Sequence, residues 1–276
     1  MSWRPKWWLT FLGKVWPITG VSAKATQIPV IGTLLAKIAT PLFSGRNFNI
    51  SYLPINEELQ TPESLHLPLM ALEEIIKRSA YRVTINRCHC RDAKGCTNYP
   101  IEKACLLMGR STMTIEPWIA TPLSVDEAIS HARYMVELGL TPMVGRVLMD
   151  NLFYGIPDTG HLLTVCFCCH CCCTVMNSAK FFPQEVMDSI VRLKGVKVCV
   201  DAEKCTDCTT RDCVEACIVK AFTFQNGKVM HNPEKCKACG WCVTICPQKA
   251  LTVEIEDANA AVDEFLERIG DLVHYG

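Results

Sequence analysis

The sequence predicts an α+β chain, and three patterns predict it. Several stretches repeat apolar residues at helical spacing, short β-prone runs stand beside Gly- and Pro-rich turns, and nineteen cysteines fall in tight groups among 276 residues. With 49% apolar and 20% charged residues the chain is an ordinary folded sequence, long enough for about two modest domains. Its 28 basic residues balance 28 acidic ones, so no bulk charge favours nucleic acid. No apolar run approaches the roughly eighteen residues of a spanning helix.

Residues 1–56 form a basic, tryptophan-rich arm. Arg4, Lys6, Lys14, Lys24, Lys37 and Arg46 lie there without one acid, together with Trp3, Trp7, Trp8 and Trp16. At 100° per residue Trp7, Trp8, Phe11, Leu12, Val15 and Trp16 share one face, opposite Lys6, Thr10, Gly13 and Lys14. A second apolar stretch, Ile28 to Phe43, carries Val30, Ile31, Leu34, Leu35 and Ile38 between Pro29 and Pro41, with Lys37 its single charge. These are the ingredients of helices lying on a membrane surface. Packing against the rest of the protein and a removable targeting peptide are the alternatives. No small-residue cleavage site follows a compact apolar core, which speaks against a secretory signal.

Residues 57–195 read as a mixed, helix-rich, cysteine-containing domain. Pro68 to Ala80 is an amphipathic helix, with Glu73 and Glu74 four residues ahead of Lys77 and Arg78. Val83 to Asn86 is a short strand. Ser124 and Glu127 form a capping box opening a helix to about Leu138, which Gly139 stops. Leu162 to Val165 is extended, and Pro183 opens a helix ending near Gly195. Val196 to Val200 is a strand, Ala221–Phe224 and Lys228–Met230 are two more turning at Asn226-Gly227, and Ala258 to Tyr275 is an amphipathic helix packing on its own domain. The last of these makes residues 257–276 a packing helix.

The cysteines carry the chemistry. Cys236, Cys239, Cys242, Cys246 and Pro247 form C-x₂-C-x₂-C-x₃-C-P, the bacterial pattern for a cubane iron–sulfur cluster. Cys205, Cys208, Cys213 and Cys217 form C-x₂-C-x₄-C-x₃-C, with two extra residues before Cys213 and Ile218 where proline is usual. Paired C-x₂-C units also build zinc sites, but two complete four-cysteine runs closed by Cys-Pro point to iron, and thiols this crowded suit a metal better than disulfides. Together the runs resemble a two-[4Fe-4S] ferredoxin domain over residues 196–256. The resemblance implies a pseudo-twofold β-α-β fold with crossed ligation: Cys205, Cys208, Cys213 and Cys246 on cluster one, and Cys217, Cys236, Cys239 and Cys242 on cluster two.

Eleven cysteines remain. Cys199, in a short apolar run, reads as a buried small hydrophobe. Cys88, Cys90, Cys96 and Cys105 form one group, and Cys166, Cys168, Cys169, Cys171, Cys172 and Cys173 another. Ten thiols left free are oxidised or wasted, so the two groups are expected to meet and hold one or two further iron–sulfur clusters. Alternation on a strand puts Cys166 and Cys168 on one face and Cys169 and Cys171 on the other, which favours two flanking sites or an irregular loop around one. Cys166-Phe167-Cys168-Cys169-His170 also fits the C-x-x-C-H haem signature, a match that arises easily in so cysteine-dense a stretch. His89 and His170 are candidate ligands or neighbours of ligands, and Arg91 a candidate donor to a negative cluster.

From about Ile50 onward the chain, through CHCRDAKGCTNYPIEKACLLMG, SVDEAISHARYMVELGL, TVCFCCHCCC and the paired runs, resembles 4Fe-4S dicluster, ferredoxin-domain iron–sulfur proteins of anaerobic bacteria and archaea. The resemblance implies iron–sulfur binding and electron transfer. No G-x-G-x-x-G, P-loop, G-x-S-x-G or H-E-x-x-H motif is present and no catalytic residue stands out, so the first expectation is a carrier of low-potential electrons between the C-terminal clusters, the N-terminal centre and a redox protein partner, without nucleic acid. The alternatives are an oxidoreductase subunit with a catalytic open or non-cubane cluster in the N-terminal domain, and a membrane-docked scaffold or redox sensor. The expected place is the cytoplasm, peripheral on the inner face of the membrane.

Overall fold

The computed structural model describes residues 4–55, 66–205, 208–225 and 228–276. Its framework is a six-stranded antiparallel sheet built from β1 (Phe48–Tyr52), β2 (Arg82–Ile85), β3 (Leu106–Met108), β4 (Ala120–Pro122), β5 (Thr141–Val147) and β6 (Leu163–Cys168) in the order β1-β5-β6-β3-β2-β4. Sequence patterning singles out only β2 and the start of β6: β3 and β5 are buried on both faces and lack polar alternation, while β1, whose residues do alternate from Phe48 to Tyr52, is a five-residue run missed at the end of the basic arm. Gly145 lets β5 approach β1: a Cβ there would collide with the Asn49 carbonyl oxygen.

One face of the sheet is covered by α4 (His66–Arg78), α6 (Val125–Glu137) and α12 (Ala258–Leu272). Leu72, Ile75 and Ile76, Ala128, Ala132 and Met135, and Phe265 and Ile269 pack over Leu163, Val165 and Phe167 of β6. Each large aliphatic side chain removed from water contributes about 1.5–3 kcal/mol. Ser124 and Glu127 cap α6 reciprocally, and Gly139, at φ 80, closes it. On α4, Glu73 pairs with Lys77 at 3.6 Å and Glu74 with Arg78 at 2.8 Å. The tail helix α12 shares a core cluster with strands of its own C-terminal domain, but its main contacts are with the larger domain. It lies on α4 and β5, with Arg268 donating to Asn49 and to Ser51 of β1, because its apolar stripe meets the larger sheet.

The opposite face carries α8 (Thr174–Ala179) and α9 (Gln184–Asp188) over Phe48, Ile50 and Tyr52 of β1. The expected helix from Pro183 to Gly195 is only α9, with Pro183 as its N-cap. The chain leaves it at Ser189, where β1 captures it: the Ile50 amide donates to the Ser189 carbonyl at 3.1 Å and the Val191 amide to Ile50 at 2.8 Å.

The basic arm folds into α1 (Trp8–Val15), α2 (Pro17–Ala25) and α3 (Ile31–Ala39), with Pro17 breaking the first helix in two; α1 lies on α5 (His89–Ala93), and α7 (Leu148–Tyr154) follows β5. Leu9, Leu12 and Gly13 are buried, Gly13 directly against Asp92, and of the tryptophan stripe Trp8, Val15 and Trp16 are half-buried beside them. Trp8 donates to the Phe153 carbonyl at 2.6 Å, Trp16 to the Thr174 hydroxyl at 2.8 Å, and Arg4 to the Leu152 carbonyl. Trp7 and Phe11 point outward, as do Ile18, Val21, Leu34 and Ile38. Among the described residues no helix is long and apolar enough to cross a membrane.

The C-terminal domain runs β7 (Val196–Val200), α10 (Asp212–Ala216), β8 (Phe222–Gln225), β9 (Lys228–His231), α11 (Trp241–Thr244) and β10 (Leu251–Ile255). β7 pairs antiparallel with β10 and β8 with β9, giving two similar halves; the expected Asn226-Gly227 turn lies outside the described residues. Gly240, at φ 80, lets α11 press onto the end of β1, where a Cβ would meet Pro54 at 3.1 Å.

Candidate metal centres

The ten N-terminal cysteines come together from two distant segments, and β6 sorts them. Along β6 the side chains alternate: Leu163, Val165 and Phe167 face the α4–α6 core, while Cys166 and Cys168 face the other way. The turn after Cys168 then sends Cys169, Cys171 and Cys172 to one side and returns Cys173 to the other at the N-cap of α8.

Two thiol groups result. The sulfurs of Cys96, Cys169, Cys171 and Cys172 all lie within 4.8 Å of one another, with Cys96 to Cys171 at 3.9 Å and Cys172 to Cys171 at 3.5 Å. The second group has six members. Cys105 and Cys166 stand 3.1 Å apart, and thiol contacts link Cys88 to Cys90, Cys90 to Cys173 and Cys173 to Cys168. The C-x-x-C-H match is undone by this sorting, since Cys166 and Cys169 belong to different groups and do not flank one porphyrin.

Crowding of thiols makes ionisation costly without a cation. The hydrogen bond with Cys173 and burial push Cys90 up to about 12, and burial with the Cys171 charge does the same to Cys169. Burial also works against Cys96, but hydrogen bonds from Cys172 and from the amides of Asn98 and Tyr99 bring it below the ordinary thiol value. Arg91 is buried between the two groups, 1% exposed, beside the sulfurs of Cys88, Cys105 and Cys169. Its Nη2 donates to the Lys103 carbonyl at 2.6 Å and the guanidinium faces the Cys88 sulfur, while Nε and Nη1 have no nitrogen or oxygen partner. Such orphaned donors are what an anionic sulfur cluster needs around it, so the residues fit an iron–sulfur group. His170 is exposed, edge-on to Tyr99, whereas His89 is buried with both ring nitrogens unpartnered.

In the C-terminal domain Cys205, Cys208, Cys213 and Cys246 line one small cavity of about 20 Å³. Cys217, Cys236, Cys239 and Cys242 are electrostatic neighbours of one another, and burial followed by those charges raises Cys239 to about 12. Cys199 is not the buried hydrophobe expected: it is half-buried on β7 beside Glu254, which pairs with Lys197 at 3.2 Å, because its register turns it to the outer side of the β7–β10 ribbon.

A 4Fe-4S binding domain model matches residues 229–252. Over 58 residues the chain is 38% identical to a ferredoxin of Methanothermococcus thermolithotrophicus, covering 97% of that protein and 21% of this chain. The chain belongs to the ferredoxin-domain iron–sulfur proteins. It is also 31% identical over 87 residues to the polyferredoxin-like subunit of an aliphatic sulfonate oxidoreductase from Pyrococcus furiosus, covering 30% of this chain and 49% of that one. Over 110 residues it is 27% identical to a polysulfide reductase subunit of Wolinella succinogenes, covering 37% of this chain and 56% of that one. The chain thus spans less than two thirds of the length of these larger relatives. No solved structure matches.

The ferredoxin domain meets the six-thiol group at a residue the sequence did not flag. Tyr52, 1% exposed, ends β1. Burial raises its phenol well above the ordinary value, and the nearby sulfurs of Cys168, Cys173, Cys239 and Cys166 raise it further. Its hydroxyl has no partner. Trp241 and Ile218 of the ferredoxin domain share one apolar cluster with Tyr52, Cys168 and Cys173. A tyrosine at the end of a buried strand carries no motif, so only the three-dimensional arrangement reveals it.

Proposed function

We propose that the chain passes low-potential electrons between its two C-terminal [4Fe-4S] clusters and two N-terminal iron–sulfur centres, and from there to a redox protein partner. One centre is held by Cys96, Cys169, Cys171 and Cys172, and the other by Cys88, Cys90, Cys105, Cys166, Cys168 and Cys173. Iron–sulfur electron transfer is the chemistry of this family, and the apolar cluster in which Tyr52, Cys168 and Cys173 pack with Trp241 and Cys239 of the ferredoxin domain carries the extension to the N-terminal domain. Electrons leaving the ferredoxin domain there enter the second set of sulfurs without crossing solvent. Four close thiols alone suit a single zinc ion equally well; Arg91 and the neighbouring six-thiol group support iron.

The outward side chains Ile18, Val21, Leu34 and Ile38, with Lys14, Lys24 and Lys37 beside them, support a peripheral seat on an anionic membrane surface. Metal and sulfide analysis of the anaerobically purified protein and its Cys169→Ser variant tests the assignment of centres. The variant is expected to lose about four irons per chain while the ferredoxin-domain signals persist. An unchanged iron content, or one zinc per chain in the parent, overturns it.

A further inference from the structure

A cavity of about 340 Å³ lies between the inner faces of α2 and α3 and the six-thiol group. Its walls are mainly apolar, with Trp16, Phe153, Phe182 and Met143 among them and Arg87 and Asp150 as the charged members, and Cys88, Cys90, Cys105 and Cys166 form one side. The mouth is marked by Ser22, Ile38 and Leu42, which line the cavity and are also exposed, Ile38 at 65%. It therefore opens through the lysine-bordered apolar surface of α2 and α3. Inside, His89 is 5% exposed and lies tilted against Trp16 at 5.2 Å and Tyr154 at 5.8 Å, with neither ring nitrogen hydrogen-bonded. A buried imidazole without a partner is costly unless something else accepts its N–H.

We infer that this cavity binds a neutral, membrane-partitioning electron carrier of the quinone class. One carbonyl oxygen accepts from the His89 ring N–H, and the apolar ring lies against Trp16 and Phe153. Every feature of the pocket selects for that chemistry. The walls are mainly apolar and their two charged side chains are already engaged, Arg87 with Asp92 and Asp150 with the Thr164 hydroxyl; the mouth faces the surface through which a lipid-soluble molecule arrives, the unpartnered His89 ring offers a hydrogen bond to a carbonyl, and the thiol side supplies a redox centre. The inference rests on the proposed six-thiol iron–sulfur centre. Reduction of the carrier to its quinol takes two electrons, delivered one at a time as the reduced centre is oxidised, and two protons from water at the mouth. The electrons are replaced through the ferredoxin domain by a reduced low-potential donor protein.

Titration calorimetry of the oxidised, cluster-loaded full chain with 2-methyl-1,4-naphthoquinone tests the site, with iron measured on the same samples. Saturable one-to-one binding is expected, at least tenfold weaker in Leu35→Trp, which fills the cavity, and in Ser22→Trp, which narrows its mouth. 2-Methylnaphthalene, which has the ring without the carbonyls, is expected to bind about tenfold more weakly. Absence of saturable binding to protein with full iron overturns the pocket and leaves the cluster reading standing. Equal affinity for naphthoquinone and 2-methylnaphthalene, or for oleate, overturns the quinone assignment. Intact binding by protein that holds iron only in its ferredoxin domain overturns the cluster reading and, with it, reduction of the carrier at this site.

Discussion

Arg146 shows how a single buried charge is managed away from the clusters. Its side chain is 9% exposed on β5, donates from Nε to the Arg46 carbonyl at 2.6 Å, and forks onto Asp158 at 2.9 and 2.8 Å. The Arg146 hydrogen bonds hold the Asp158 carboxyl below the usual carboxylate range. A depressed folded value means that the pair stabilises the fold above about pH 4 and loses that contribution as pH falls through the lower folded value. Asp158 is partly exposed, so solvent screening limits the effect, and Asp158→Asn is expected to cost about 1–2 kcal/mol at pH 7. Urea denaturation should show the gap between parent and variant persisting to about pH 5 and narrowing below pH 4; a constant gap would discount the ion pair. Tyr52 makes a second residue-scale prediction. Its orphaned hydroxyl is a donor placed among sulfurs, and such hydrogen bonds raise cluster potentials. Tyr52→Phe should keep full iron content and lower the potential of a neighbouring centre, seen in a redox titration, whereas iron loss would mean that the residue merely supports the fold.

At the scale of elements, the caps and periodic helices were legible and the framework sheet was not. Ser124 and Glu127 announced α6, and the charges at Glu73, Glu74, Lys77 and Arg78 announced α4, because these signals are local. Ser124→Ala should cost about 1 kcal/mol, a fall of roughly 2–4 °C in the melting temperature, and no change would mean that Glu127 caps the helix alone. Strands β3 and β5 gave no such signal, since burial on both faces removes the polar alternation by which a strand is read, whereas β1 does alternate, from Phe48 through Ile50 to Tyr52, and was missed as a short run at the end of the basic arm. The ferredoxin motifs were readable from spacing alone, because cluster ligation dictates sequence intervals. The division of the other ten cysteines was only half readable: alternation separated Cys166 and Cys168 from Cys169 and Cys171, but nothing local returns Cys173 to the first side. The tail helix shows the same limit. Its apolar stripe was plain, but its main partner is a sheet more than a hundred residues away, and Phe265→Ala on that stripe should cost about 3–5 kcal/mol in chemical denaturation.

Across the whole molecule, charge and apolar surface are divided to match the proposed path. The acid-free arm presents lysines and outward aliphatics on α1 to α3, while its inner side closes the cavity over the six thiols, and the ferredoxin domain presses on the far end of β1. Replacing Val21 and Leu34 by glutamate should abolish co-sedimentation with anionic lipid vesicles and leave the cluster spectra unchanged; undiminished binding would remove the membrane seat. The central claim, that electrons move between the ferredoxin domain and the N-terminal centres, is tested most directly by a reductive titration of the iron-57-loaded full chain followed by Mössbauer spectroscopy. The account predicts more than the roughly eight irons that two cubanes hold, with the additional iron reduced by the same low-potential donor that reduces the ferredoxin clusters. Iron confined to the two ferredoxin clusters, or additional iron that stays oxidised throughout the titration, would contradict it.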